Sequence, residues 1–89
     1  MTYLEYLQHP DNVASLRELH AFGVVSKAQY VRSEILLAYI DLRQQHTKIS
    51  DWECAFQLSM NPRYALSDGS ILQIIKWAKR EVYLPTLTL

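Results

Sequence analysis

The chain has little of what interrupts secondary structure: two glycines and three prolines in 89 residues. These are Gly23, Gly69, Pro10, Pro62 and Pro85. Glycine and proline are the strongest local punctuators of a fold, so their scarcity argues against a turn-rich β-sandwich or barrel and for helices. There is a single cysteine, Cys54, which excludes an intrachain disulfide and fits a reducing compartment. An excess of one charge is also missing, with nine Lys and Arg against nine Asp and Glu. That balance argues against a strongly basic nucleic-acid coat and against an acidic mimic of DNA. A local basic face stays open, because only the contact surface has to match a partner. No apolar run approaches the roughly 18 residues of a membrane span. The start, Met1-Thr2-Tyr3-Leu4-Glu5, lacks the basic residues and long apolar core of a secretory signal. A cytoplasmic protein is expected.

What is present is a normal apolar fraction, 49%, in a length that makes one domain over 1–89. Three tetrads have capping-box spacing: Thr2 to Glu5, Ser26 to Gln29 and Ser50 to Glu53. In each, a hydroxyl residue stands three positions before a Glu or Gln whose side chain can reach back. The first predicts a short helix to about Gln8, stopped by Pro10. Asp11 or Asn12 is then expected to cap a second helix, carrying Val13, Leu16, Leu19 and Phe22, with Gly23 closing it. The second tetrad opens a helix over about 27–45. The third opens a helix with Trp52, Ala55, Phe56 and Met60 on its apolar side, ended by Asn61-Pro62. Ser67 or Asp68 starts a last helix whose core face is Ile71, Ile74, Ile75, Ala78 and Val82. Gln73, Lys76 and Arg80 lie opposite, flanked by Lys79 and Tyr83, and Pro85 closes it. The 85–89 tail is either disordered or a short extended piece. The expected fold is all-α: a compact bundle of about five helices around a long central one.

That central helix contains Ile35-Leu36-Leu37-Ala38-Tyr39-Ile40, six apolar residues in succession. At about 100° per residue, Val31, Ile35, Ala38, Tyr39 and Leu42 form one stripe. Leu36, Leu37 and Ile40 form a second, roughly opposite. A helix apolar on two sides must be covered on two sides. Either the first two helices cover the second stripe, or it is left for a partner.

Chemistry is hard to find. His9, His20 and His46 lie at no spacing that aims two ligands at one ion, so no metal or other cofactor is expected. Cys54 stands among apolar neighbours and reads as a small buried residue rather than a nucleophile. There is no G-x-S-x-G elbow and no glycine-rich phosphate loop. The carboxylates are scattered and mostly near Lys or Arg, as on a solvated surface. No enzyme and no small-molecule substrate is implied. Six tyrosines and two tryptophans are the richer signal, since such side chains pair apolar bulk with a polar tip and suit interfaces.

Two functions are therefore expected. The first is a non-enzymatic protein-binding module (a regulator, inhibitor or adaptor), acting on another protein or on itself as a homodimer. Its candidate interface is Tyr30, Leu36, Leu37 and Ile40. The second is a DNA-binding regulator. Asp51 to Ser70 resembles a helix-turn-helix motif: Ala55 falls at its small-residue position, with Cys54, Leu58, Met60 and Ala65 at apolar ones. Ser59 replaces the usual turn glycine, Asp68 stands where an apolar residue belongs, and Pro62 and Gly69 fall within the second helix. In an alternative register, with a longer turn, Ser67 to Tyr83 is the recognition helix. This resemblance implies Arg63, Gln73, Lys76, Lys79 and Arg80 as nucleic-acid contacts.

Overall fold

The structure is a computed structural model that describes residues 2–80. Five helices form: α1 (Tyr3–Leu7), α2 (Pro10–Ala21), α3 (Lys27–Gln45), α4 (Asp51–Ser59) and α5 (Asp68–Arg80). The all-α bundle expected from the sequence is what the described residues adopt. Val82, Tyr83 and Pro85, and the 85–89 tail, lie outside them.

The helix starts follow local chemistry. Thr2 and Ser26 each close a full capping box, with Glu5 and Gln29 returning the bond. Ser50 Oγ accepts from the Glu53 amide at 3.1 Å. Ser67 Oγ accepts from the Ser70 amide at 3.2 Å, so Ser67 is the cap and Asp68 the first residue of α5. Each bond satisfies an amide that the helix leaves without an internal partner.

The start of α2 differs from expectation. Its cap position is His9, which makes no side-chain bond, and Pro10 is the first helical residue. Proline suits that position, because its missing N–H is one the helix does not need there. Asn12 is freed from capping, and its Nδ2 donates to the Tyr6 carbonyl at 2.9 Å, tying α2 to α1. At the other end the Gly23 amide bonds to the His20 carbonyl and the Val24 amide to the Leu19 carbonyl. This is a Schellman closure, and it requires the positive φ of +78° found at Gly23.

α3 touches all four other helices. Its two stripes are both covered. Ile35 faces α5 across a groove shared with Ile74 and Trp77. Leu37 shares a small cleft with Val13 and Leu16 of α2, and Ile40 one with Leu4 of α1. Ile35 and Leu36 are both 0% exposed. The first two helices therefore lie over the second stripe, leaving Leu36 fully buried and Leu37 and Ile40 half-buried. Cys54, Ala55, Ile71, Ile75 and Ala78 complete the buried centre.

α4 is turned differently from the sequence reading. Cys54, Ala55 and Leu58 face inward, while Trp52, Phe56 and Met60 lie outside. The small Cys54 and Ala55 allow α4 to approach α5, the most extensive helix pair in the fold. Bulk at those positions would hold the helices apart. Phe22, expected on the apolar side of α2, is also exposed, because the Schellman turn carries it past the end of the core.

A polar clamp ties three helices together. Tyr39 of α3 donates its hydroxyl to Asp51 Oδ1 at 2.6 Å. Lys79 of α5 donates to Asp51 Oδ2, and Arg43 of α3 stands 3.8 Å from the same carboxylate. Burial pushes against ionisation of Asp51, but the hydrogen bonds from Lys79 and Tyr39 outweigh it and hold the carboxyl below its ordinary range.

Candidate protein-binding surfaces

The four residues expected to form an interface do not form one surface. Leu36 is inside the core, which corrects its assignment as a contact residue: α3 is wrapped from both sides, so no partner reaches Leu36 in this fold. Tyr30 and Leu37 line a cleft of about 130 Å³ between α2 and α3. Tyr30 also stacks on His20 at 4.2 Å between ring centroids. Ile40 lies elsewhere, half-buried beside α1.

The nucleic-acid set is likewise divided. Arg63 donates Nε and Nη2 to the two oxygens of Glu34, both at 2.8 Å. The Glu34 carboxyl is lowered chiefly by this hydrogen-bonded guanidinium. Lys79 is held by Asp51. Gln73, Lys76 and Arg80 remain exposed on α5. The Asp51 to Ser70 register of a helix-turn-helix motif is overturned, because α4 ends at Ser59 and no helix begins before Asp68. Asn61 and Pro62 form a turn, with the Tyr64 amide bonded to the Asn61 carbonyl and the Arg63 amide to Asn61 Oδ1. Ala65 then takes φ +52°, a left-handed conformation that no helix continues through.

Cys54 is sealed in the core, and burial pushes its thiol pKa up. A raised pKa disfavours the thiolate that nucleophilic chemistry needs.

Two surfaces are left that sequence reasoning missed. The first is the outer face of α4. Trp52, Phe56 and Met60 stand at i, i+4 and i+8, so they share one side of the helix. Their exposures are 55%, 39% and 66%, and the Trp52 and Phe56 rings stack at 5.7 Å with planes 14° apart. The spacing was visible in the sequence. Its direction was not, because Cys54, Ala55 and Leu58 offer a second apolar side of α4, and the approach of α5 decides which one turns inward.

The second is a groove of about 470 Å³ between α3, α5 and the loop that joins α4 to α5. Val31 and Ile35 form one wall, Ile74 and Trp77 another, and Tyr64 and Leu66 the third. Tyr64 and Leu66 flank the left-handed Ala65. No helix-periodicity signal brings that loop together with α3, so nothing in the sequence pointed to it.

Comparison with known proteins finds no matching family model, no matching curated protein and no matching solved structure. No helix among the described residues is long and apolar enough to cross a membrane.

Proposed function

We propose that the chain is a non-enzymatic protein-binding module, that its docking element is the outer face of α4, and that its partner is a second copy of itself. The observation that carries this reading is the exposed row Trp52–Phe56–Met60. Three large apolar side chains aligned on one helix face are costly to leave in water, and such patches mark interaction sites.

The order of the row favours self-association. A two-fold axis through Phe56 sets two α4 helices antiparallel. Phe56 then meets Phe56, and Trp52 of each copy meets Met60 of the other. Aromatic pairs and sulfur–aromatic contacts are both favourable. The balanced charge, nine against nine, adds no long-range repulsion between copies. The row exposes on the order of 300 Å², below the roughly 800 Å² per partner of a stable interface. A weak, reversible dimer is the expected form.

Sedimentation equilibrium tests it. The average mass is expected to rise between about 10 μM and about 1 mM, as for a small interface. Trp52→Asp is expected to abolish the rise while preserving the circular dichroism spectrum, since an acidic residue suits the first turn of a helix. A wild-type mass that stays monomeric throughout overturns the reading.

DNA binding is the second reading, favoured by the exposed Gln73, Lys76 and Arg80 on one helix. With Lys76 and Arg80 as the cations there without an ion pair among the described residues, the logarithmic salt slope would be no steeper than about −2. Absence of any mobility shift with duplex DNA at low salt removes it.

A further inference from the structure

We infer that the groove between α3 and α5 binds a small apolar carboxylate, with the hydrocarbon body inside and the carboxylate on Arg32. The shape comes first. A concave site of about 470 Å³ is within the range of small-molecule pockets. Its apolar lining is Val31, Ile35, Tyr64, Leu66, Ile74 and Trp77, and Arg32 and Gln73 are the long polar side chains that line it with them. An apolar body fits those walls.

The charge comes from Arg32. It is half-buried on α3, with its guanidinium carbon 5.3 Å from the centre of the Trp77 ring. Arg43, Arg63 and Lys79 each have a carboxylate within 4 Å, and among the described residues Arg32 has none. A cation–π contact with the indole holds the guanidinium near the ring while leaving N–H groups able to meet an anion. Trp77 is itself steadied on its other contact, with the Tyr3 ring 5.3 Å away and tilted by 60°. Arg32 and Trp77 both line the groove, so a planar donor fork stands beside its apolar walls, where a carboxylate can be held in bidentate fashion.

A free acid suits this better than an extended peptide. Each residue of an extended chain brings an N–H and a C=O that need partners, and the groove offers few. An alkyl or aryl chain brings none. The sequence implied no small-molecule site because the groove exists only once the α4–α5 loop folds back over α3. The Arg63–Glu34 pair fastens that loop there. Tyr64 and Leu66, on either side of the left-handed Ala65, both reach the groove as a result.

Octanoate, octanol and octylammonium serve as matched probes, followed by two-dimensional NMR of the full chain. The protein has two indole N–H signals, from Trp52 and Trp77. Octanoate is expected to shift the Trp77 signal saturably and to leave that of Trp52 in place. It should bind about tenfold or more tightly than octanol, the increment expected of one charge-assisted hydrogen-bonded pair. Arg32→Gln should bring octanoate down to parity with octanol without altering octanol binding, and Arg32→Lys should retain part of the preference. Equal affinity of the three probes in the wild type overturns the proposal. So does a Trp77 signal that none of them moves at millimolar concentration. Variants are accepted only if their octanol titration matches the wild type, which separates loss of the charge contact from loss of the fold.

Discussion

The Tyr39 hydroxyl donates to Asp51 Oδ1 at 2.6 Å, joining the middle of α3 to the first residue of α4. The same carboxylate takes Lys79 from α5, and the Lys79 ammonium lies 5.7 Å from the centre of the Tyr39 ring. Three helices thus meet at one Asp. Tyr39→Phe removes the hydroxyl from a side chain that is otherwise buried. It is expected to destabilise the fold by about 1.5–3 kcal/mol, the range for a lost hydrogen bond to a charged group. The shift of the urea midpoint checks it, with an unchanged slope showing that the native state is still compact.

The clamp also sets a pH dependence. Asp51 and Glu34 both have folded-state pKa values below their ordinary ones. A depressed carboxyl contributes stability above its unfolded value, about 3.9 for Asp and about 4.3 for Glu, and loses it as pH falls through the folded value. Urea midpoints are therefore expected to fall between about pH 5 and about pH 2. Asp51→Asn should flatten part of that fall. On the alkaline side burial and the bond to Asp51 raise Tyr39, and the bonds to Asp51 and Tyr39 raise Lys79 against its burial. A raised pKa contributes stability below its unfolded value and loses it as pH rises through the folded one, so these contributions are lost above about pH 10.

Leu36 and Leu37 are adjacent in sequence and unequal in the fold. Leu36 is fully buried and Leu37 half-buried against the core. Leu36→Ala is expected to cost about 3 kcal/mol, through lost transfer energy and the cavity left behind. Leu37→Ala should cost less than half as much, because part of its side chain already meets water. Thermal unfolding of the two variants checks the ranking.

Ala65 is the one non-glycine residue with positive φ among those described. A left-handed Ala carries roughly 1–2 kcal/mol of steric cost that glycine avoids, against about 0.4–1 kcal/mol of extra unfolded-state freedom for glycine. Ala65→Gly is expected to stabilise by about 0.5–1 kcal/mol. Gly23, at φ +78°, should show the opposite sign on replacement by Ala. A Cβ there meets no neighbouring atom, so the penalty comes from the backbone conformation. Chemical denaturation of the pair checks both signs.

The antiparallel arrangement of α4 has a specific signature. Trp52→Asp and Met60→Lys should each weaken self-association. Mixed together, the two variants should associate more strongly than either alone. One end of the mixed pair then sets Asp against Lys, and the other keeps Trp against Met. A mixed mass no greater than that of the separate variants excludes this register.

Much of the helical skeleton was legible because hydroxyl caps and proline carry their own geometry. Ser26 with Gln29 placed the start of α3, and the apolar period carried it to Gln45. The start of α2 was misread because proline both stops one helix and opens the next, and its neighbours say little about which. The face of α4 was misread for another reason. Cys54, Ala55 and Leu58 turn inward because α5 comes close, and a neighbour's approach is not written in α4 itself. The two surfaces that now matter depend on such tertiary facts. One is what α4 leaves outside, and the other is where the α4–α5 loop lands.

α2 is held less firmly than the other long helices. Leu16 is its one buried residue, and among the described helices α2 packs against α1 and α3 alone. Opening of such a unit is cheaper than global unfolding. In native-state hydrogen exchange, the amides of α2 should therefore exchange by local opening, well before those in the middle of α3. Each opening would uncover Leu37, the part of the second α3 stripe that lies beneath α2, together with Tyr30 in the same cleft.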